Sequence, residues 1–226
     1  MAAVAGWTGP ALLRGRVLCA AGWPGLAGIG RAGHVALTFD DGPDPEGTPA
    51  VCEALDRLGW TATFFMLGAQ VQRYPEVAAA AVAAGHEAAV HGFSHRNHLA
   101  RGPVDVQRDV ARAAEAVAAV TGVRPIWFRP PYGVLTLGSL IAARRARLRP
   151  VLWTAWGRDW EPRSPAQVTG TVRRQLRPGG TVLLHDSDCT ARVAGSWRAT
   201  VRALPLLAEL AEELGCTVGP LRDHFG

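Results

Sequence analysis

Residues 34–43, HVALTFDDGP, begin with an apolar run from Val35 to Phe39 and end on two carboxylates, Asp40 and Asp41, followed by a Gly42-Pro43 turn. A short apolar run closed by turn residues predicts a strand buried on both faces, the kind that builds a parallel sheet. The rest of the chain repeats the theme. Further strands are expected at Ala62 to Met66, Glu87 to Val90, Ile126 to Phe128, Val151 to Thr154 and Thr181 to Leu184. Between and after them the spacing predicts helices at Thr48 to Leu58, Glu76 to Ala84, Val104 to Val120, Pro165 to Leu176 and Arg198 to Leu214, with Pro205 a candidate kink in the last. Gly59, Gly85, Gly122 and Gly215 stand where helix C-termini take a left-handed residue. Strands alternating with helices in this way are the signature of βα units, so the fold class is α/β with a parallel sheet.

At 226 residues, with 48% hydrophobic and 19% charged residues, the chain fits one ordinary soluble domain. Residues 1–33 read as a Gly-rich extension and residues 34–226 as a single domain without internal repeat or linker. The net charge is +5, but all 24 basic residues are arginines scattered along the chain. The one dense run, Arg144, Arg145, Arg147 and Arg149, reads as a solvated helix end, and no nucleic-acid partner is expected. Cys19, Cys52, Cys189 and Cys216 show no paired spacing and are expected to be free thiols. The apolar stretch between Arg16 and Arg31 is interrupted by Gly22, Pro24, Gly25, Gly28 and Gly30, which opposes a signal helix. No run approaches the ~20 apolar residues of a membrane span. A cytoplasmic location is the expectation, with secretion the alternative.

In parallel α/β sheets the functional groups sit after the carboxyl ends of the strands. Adjacent residues such as Asp40 and Asp41 point to opposite faces of a strand, but the Gly-Pro turn can rotate both toward one site; alone, the pair also reads as an acidic turn. His91 and His95 follow the third strand at a spacing that, on a turn of helix, stacks two imidazoles on one face. With Asp41 they make two histidines and one carboxylate, a metal-ligand set that leaves open positions for water and substrate. Alone they read as polar decoration, as does His98 nearby. In Arg129-Pro130-Pro131-Tyr132-Gly133 the prolines carry no N–H, so the Tyr132 amide is the first donor after Arg129 and a candidate to bind an oxyanion, equally well a rigid loop with a buried arginine. Asp159 and Trp160 follow the next strand, and Leu183 and His185 end another, where the neighbouring Asp186 carboxylate would favour an imidazolium.

In this order the five pieces resemble the NodB-homology polysaccharide deacetylases of carbohydrate esterase family four, over roughly residues 34–215. The resemblance implies a distorted parallel (β/α) barrel with fewer than eight full strands. It implies a metal-dependent deacetylase that hydrolyses N-acetyl, or O-acetyl, groups of an amino-sugar glycan or glycoconjugate. Asp41, His91 and His95 would hold a divalent ion, zinc first, with cobalt or nickel as substitutes. Asp40 would be the general base, oriented by Arg129. Tyr132 would bind the oxyanion, Leu183 and Trp160 would contact substrate, and His185, kept cationic by Asp159, would be the general acid. Two positions depart from the family: Gly92 stands where Ser or Thr usually follows the first histidine, and Trp156 where an earlier Asp is usual. The rival readings are a metal-independent allantoinase-like amidohydrolase, which should lack the metal triad, and a non-catalytic carbohydrate-binding relative, which should lack Asp40 or His185.

Overall fold

The computed structural model describes residues 22–191 and 193–226. Cys19 and residues 16–21 of the stretch between Arg16 and Arg31 therefore lie outside the described residues. Seven parallel strands run side by side: β1 (His34–Asp40), β2 (Thr63–Met66), β3 (Glu87–Val90), β4 (Trp127–Phe128), β5 (Arg149–Pro150), β6 (Ala155–Trp156) and β7 (Thr181–His185). Their spatial order is β5-β4-β3-β2-β1-β7-β6, and β8 (Thr217–Gly219) pairs with the start of β1. β5 and β6 are the two unpaired edges, so the sheet curls into an open half-barrel. Three of the strands are only two residues long.

Strand β1 is buried at all seven positions, as a central parallel strand must be. Its side chains alternate with period two. Val35, Leu37 and Phe39 pack outward with Phe64, Met66 and Leu184 against the helices, while Ala36, Thr38 and Asp40 face the barrel interior beside Phe65 and Ala89. This alternation aims Asp40 into the barrel, one residue beyond the register that buries Phe39.

The helices are α1 (Pro24–Ala27), α2 (Gly47–Arg57), α3 (Gly68–Arg73), α4 (Pro75–Ala83), α5 (Pro103–Thr121), α6 (Leu137–Arg145), α7 (Pro165–Arg173), α8 (Trp197–Glu213) and α9 (Leu221–His224). Local chemistry fixes several ends. Ser164 and Gln167 form a capping box at α7, with Pro165 in its first turn, and Thr136 with Ser139 does the same for α6. Gly122 ends α5 at φ 71°, a left-handed value that only glycine takes without cost. Helix α8 continues through Pro205.

One expected strand needs correction. Val151 to Thr154 is not itself a strand: β5 precedes it, β6 follows it, and between them the chain passes from one open edge toward the other. Val151 is fully buried and its N–H donates to Phe128 O at the end of the β4–β5 pair, but Leu152, Trp153 and Thr154 are only half-buried and continue no strand. The described part of the N-terminal extension, residues 1–33, bonds to the barrel floor: Gly30 N to Gly179 O, Arg31 N to His224 O, and Thr181 Oγ1 to Gly28 O. Arg144 and Arg145 do close α6 in solvent. Cys52, Cys189 and Cys216 are free thiols. No described helix is long and apolar enough to cross a membrane.

Candidate active site

The carboxyl ends of β1, β3, β4, β6 and β7 surround a pocket of about 340 Å³ lined by Asp40, Asp41, His91, His95, Tyr132 and His185 among others. Asp40 continues the strand, whereas Asp41 takes φ 80°. That left-handed step, in Asp41 itself rather than in the Gly-Pro turn after it, brings both carboxylates to one site, and Asp tolerates it better than most residues. The turn is packed from below by Asp186, whose carboxylate a Cβ at Gly42 would strike.

Arg129, fully buried, explains the setting of Asp40. Its Nη1 donates to Asp40 Oδ1 at 2.7 Å and to Thr38 Oγ1 at 2.9 Å, and its Nη2 donates to Leu152 O at 2.9 Å. Thr38 and Asp40 share the interior face of β1 because they are two residues apart. Burial raises the Asp40 pKa above its ordinary value and Arg129 opposes the rise, which leaves a carboxylate more basic than one in water.

His91 and His95 do not lie on a helix. They bracket a bend in which Gly92 (φ 87°) and His95 (φ 47°) are both left-handed, and the bend, not a helical turn, places the rings 5.1 Å apart. The bend is held from α5: Asp109 accepts from Phe93 N at 2.7 Å, Ser94 Oγ at 2.9 Å and Arg101 Nη1 at 2.7 Å. A Cβ at residue 92 would lie 2.9 Å from Asp109 Oδ2, so the glycine is required by this support.

His91 Nδ1 sits 2.8 Å from Arg129 O and donates its proton there. Burial lowers the His91 pKa to about 3 against the opposing pull of Asp41, so the ring is neutral and Nε2 is a lone-pair acceptor. Nε2 nevertheless faces Asp41 Oδ1 at 3.5 Å, and His95 Nε2 faces the same oxygen at 3.4 Å. Asp41 Oδ1 is buried and has no hydrogen-bond donor among the described residues. Acceptors converging on one point, with ligand atoms all within 4.8 Å of one another, suit a cation between them.

His185 Nδ1 lies 2.9 Å from Asp159 Oδ1, and its backbone N donates to Asp159 Oδ2 at 2.7 Å. Thr200 Oγ1 secures the same carboxylate at 2.6 Å. Burial works against the imidazolium, but Asp159 outweighs it and holds the His185 pKa at about 9. The partner is therefore Asp159 and not the sequence neighbour Asp186, which turns away to Thr48 Oγ1 at 2.5 Å and is itself pushed up to about 7 by burial.

Tyr132 has φ 60°, and the two amides after it are bound locally, Gly133 N to Pro130 O and Val134 N to Pro131 O. Its ring, half exposed, lies 4.5 Å from the His95 ring. Leu183 faces the pocket because its neighbours Val182 and Leu184 face outward. Trp160 meets His185 edge-on at 5.3 Å. The catalytic, substrate and metal candidates of the sequence thus line the pocket or, as with Arg129 and Asp159, hold a residue that does. His98 does not stand at the surface: it is fully buried, 2.9 Å from Ser139 Oγ.

Sequence reasoning missed Trp153 and Thr190, which line the pocket, and Asp109 beneath it. Trp156, noted only as a departure, stacks on Trp153 at 5.8 Å and tilts onto Trp160 at 4.8 Å, forming an aromatic wall. The run Trp153, Trp156, Trp160 was a visible signal; Thr190 and Asp109 gave none.

The polysaccharide deacetylase family profile matches residues 28–151. A chitooligosaccharide deacetylase of Bradyrhizobium sp. (strain ANU 289) is 36% identical over 195 residues, covering 83% of this chain and 88% of the relative. A peptidoglycan-N-acetylglucosamine deacetylase of Bacillus cereus is 31% identical over 174 residues, 77% of this chain and 63% of the relative. Among solved structures, a peptidoglycan N-acetylglucosamine deacetylase superposes with a TM-score of 0.81 at 28% identity, covering 88% of this chain and 92% of that one.

Proposed function

This chain belongs to the polysaccharide deacetylase family, carbohydrate esterase family four, and from that membership we propose that its pocket removes N-acetyl groups from an amino-sugar glycan or glycoconjugate. It is a hydrolase of carbohydrate amide bonds, and its products are acetate and a free amine. The observation that carries the reading is the joint presence, in one pocket, of the Asp41, His91, His95 acceptor set, an arginine-held Asp40 and an aspartate-held His185.

Asp41, His91 and His95 would hold a divalent ion, and two imidazoles with one carboxylate favour zinc, with cobalt or nickel as substitutes. When bound, such an ion supplies Lewis-acid polarisation of the acetyl carbonyl and eases ionisation of water at neutral pH. Asp40, made basic by burial and aimed by Arg129, takes the proton of the attacking water. The Tyr132 N–H donates to the oxygen on which negative charge develops. His185, a cation below about pH 9, donates the proton that lets the amine leave. Leu183 offers an apolar seat for the acetyl methyl, and the tryptophan wall a flat face for a pyranose ring.

The relatives' names make chitooligosaccharides and peptidoglycan glycans the first substrates to try. We place the reaction in the cytoplasm on a soluble acetylated amino sugar or glycoconjugate, on the support of the free thiols Cys52, Cys189 and Cys216. Cell fractionation with sequencing of the mature N-terminus tests that location; a trimmed, extracellular chain would move polymeric substrates to first place. The activity itself is tested by acetate release from chitooligosaccharides, peptidoglycan, acetylated xylan and N-acetylglucosamine, before and after exhaustive chelation. Activity that survives chelation with no metal found by elemental analysis would favour the metal-independent amidohydrolase reading. Absence of release from every acceptor would favour a binding protein.

A further inference from the structure

Asp41 has two carboxylate oxygens with different surroundings. Oδ1 faces His91 Nε2 and His95 Nε2 and has no hydrogen-bond donor among the described residues. Oδ2 accepts a short hydrogen bond from Thr190 Oγ1. Thr190 stands on the loop between β7 and α8, at the mouth of the pocket, and the mechanism above gives it no part.

This loop grips Asp41 twice and is itself tied. Cys189 Sγ donates to the Asp41 backbone O at 3.4 Å, Cys189 N donates to Ser187 Oγ at 3.1 Å, and Gly195 N closes the loop onto Asp188 Oδ2 at 2.6 Å. The hydroxyl is therefore held in place by its own backbone. Without it, Asp41 Oδ2 has a competing attraction: His185 Nε2 lies 3.9 Å away. A carboxylate turning toward that nitrogen would swing Oδ1 off the imidazoles and would also occupy the His185 ring. Hydrogen bonds to the non-ligating atoms of metal ligands fix their orientation, and losing one typically costs about 10- to 100-fold in affinity.

We infer that Thr190 is a positioning residue for the metal centre: its hydrogen bond to Asp41 Oδ2 commits Asp41 to the ion through Oδ1 alone and keeps the second oxygen off His185. The inference rests on the reading of Asp41, His91 and His95 as ligands. The test is zinc titration of the full-length apoprotein against a chromophoric chelator, for wild type, Thr190→Val, Thr190→Ser and Asp41→Ala. Thr190→Val, which keeps the shape and removes the donor, should raise the zinc Kd about 10- to 100-fold with the apoprotein Tm unchanged. Thr190→Ser should restore near wild-type affinity. Wild-type affinity in Thr190→Val, or a loss that Ser does not rescue, would overturn the inference while leaving the ligand set standing, provided Asp41→Ala loses zinc. If the wild-type protein binds no zinc at all, it is the ligand reading that falls.

Discussion

Asp40 and Asp41 are covalent neighbours with separate partners, and substitution should separate their roles. Asp40 is bonded to Arg129, and Asp41 faces two imidazoles. Asp40→Asn should cut kcat by roughly 10²- to 10⁴-fold, the usual worth of a proton-transfer group, and leave metal content near wild type. Asp41→Asn should lose metal; equal loss from both variants would refute the division. A second expectation concerns the alkaline limb of kcat/KM. The raised pKa of about 9 keeps His185 protonated through neutral pH, and the donor is lost as pH rises through that value. Asp159→Asn removes the charge that opposes burial, so the limb should move to lower pH; an unmoved limb would mean that Asp159 does not set the imidazole. At this scale the sequence was informative wherever a residue ends a strand or directly follows one. Asp40, His91, Arg129 and His185 all announce themselves by that position. Thr190 and Asp109 do not, because each acts across more than a dozen residues through a hydrogen bond that no spacing encodes.

Among the elements, α5 and the bend after β3 form one device, since Asp109 fixes the loop that carries both histidines. Removing Asp109 leaves Phe93 N–H and Arg101 without their acceptor, so Asp109→Ala should cost about 2–4 kcal/mol and weaken metal binding together. Gly92→Ser, which restores the hydroxyl usual in the family, should not improve the protein. The left-handed backbone costs a Cβ-bearing residue about 1–2 kcal/mol, and Asp109 lies in the way, so Tm should fall by roughly 2–8 °C. A Tm equal to wild type would show that the bend relaxes. The same elements explain what the sequence concealed. β1 and β3 were legible nearly to the residue because they are buried throughout. Val151 to Thr154 was just as apolar, but only Val151 is buried and the segment has no paired strand on both sides, and hydrophobicity alone does not report pairing. The six-residue α3 is too short to show a helical period, and the HxxxH spacing fits a bend as well as a turn of helix.

Over the whole molecule the barrel floor is closed by a histidine pair that joins the two ends of the domain. His34, at the start of β1, and His224, in α9, are both buried with their Nδ1 atoms 2.9 Å apart, an arrangement that accommodates only one proton between them. Burial lowers the His224 pKa to about 4 from an ordinary 6.5, and His34 opposes its protonation further. Between those values the unfolded chain binds the proton and the folded chain does not, so this contribution is complete above pH 6.5 and is lost as pH falls toward 4. It amounts to roughly 3 kcal/mol at most. Buried Asp186 works the other way: its pKa near 7 means that the folded state gains relative stability as pH falls through the same range. The total pH slope is thus a difference between opposed groups, and the informative measurement is a comparison of variants. His224→Gln should be less stable than wild type at pH 7.5, where it lacks the pair's packing, and the gap should narrow or reverse at pH 4.5, where wild type must protonate a buried ring or unfold. Denaturant midpoints at both pH values decide it: parallel shifts at the two would show that the pair contributes packing alone, and that the floor of the barrel is not where acid acts on this fold.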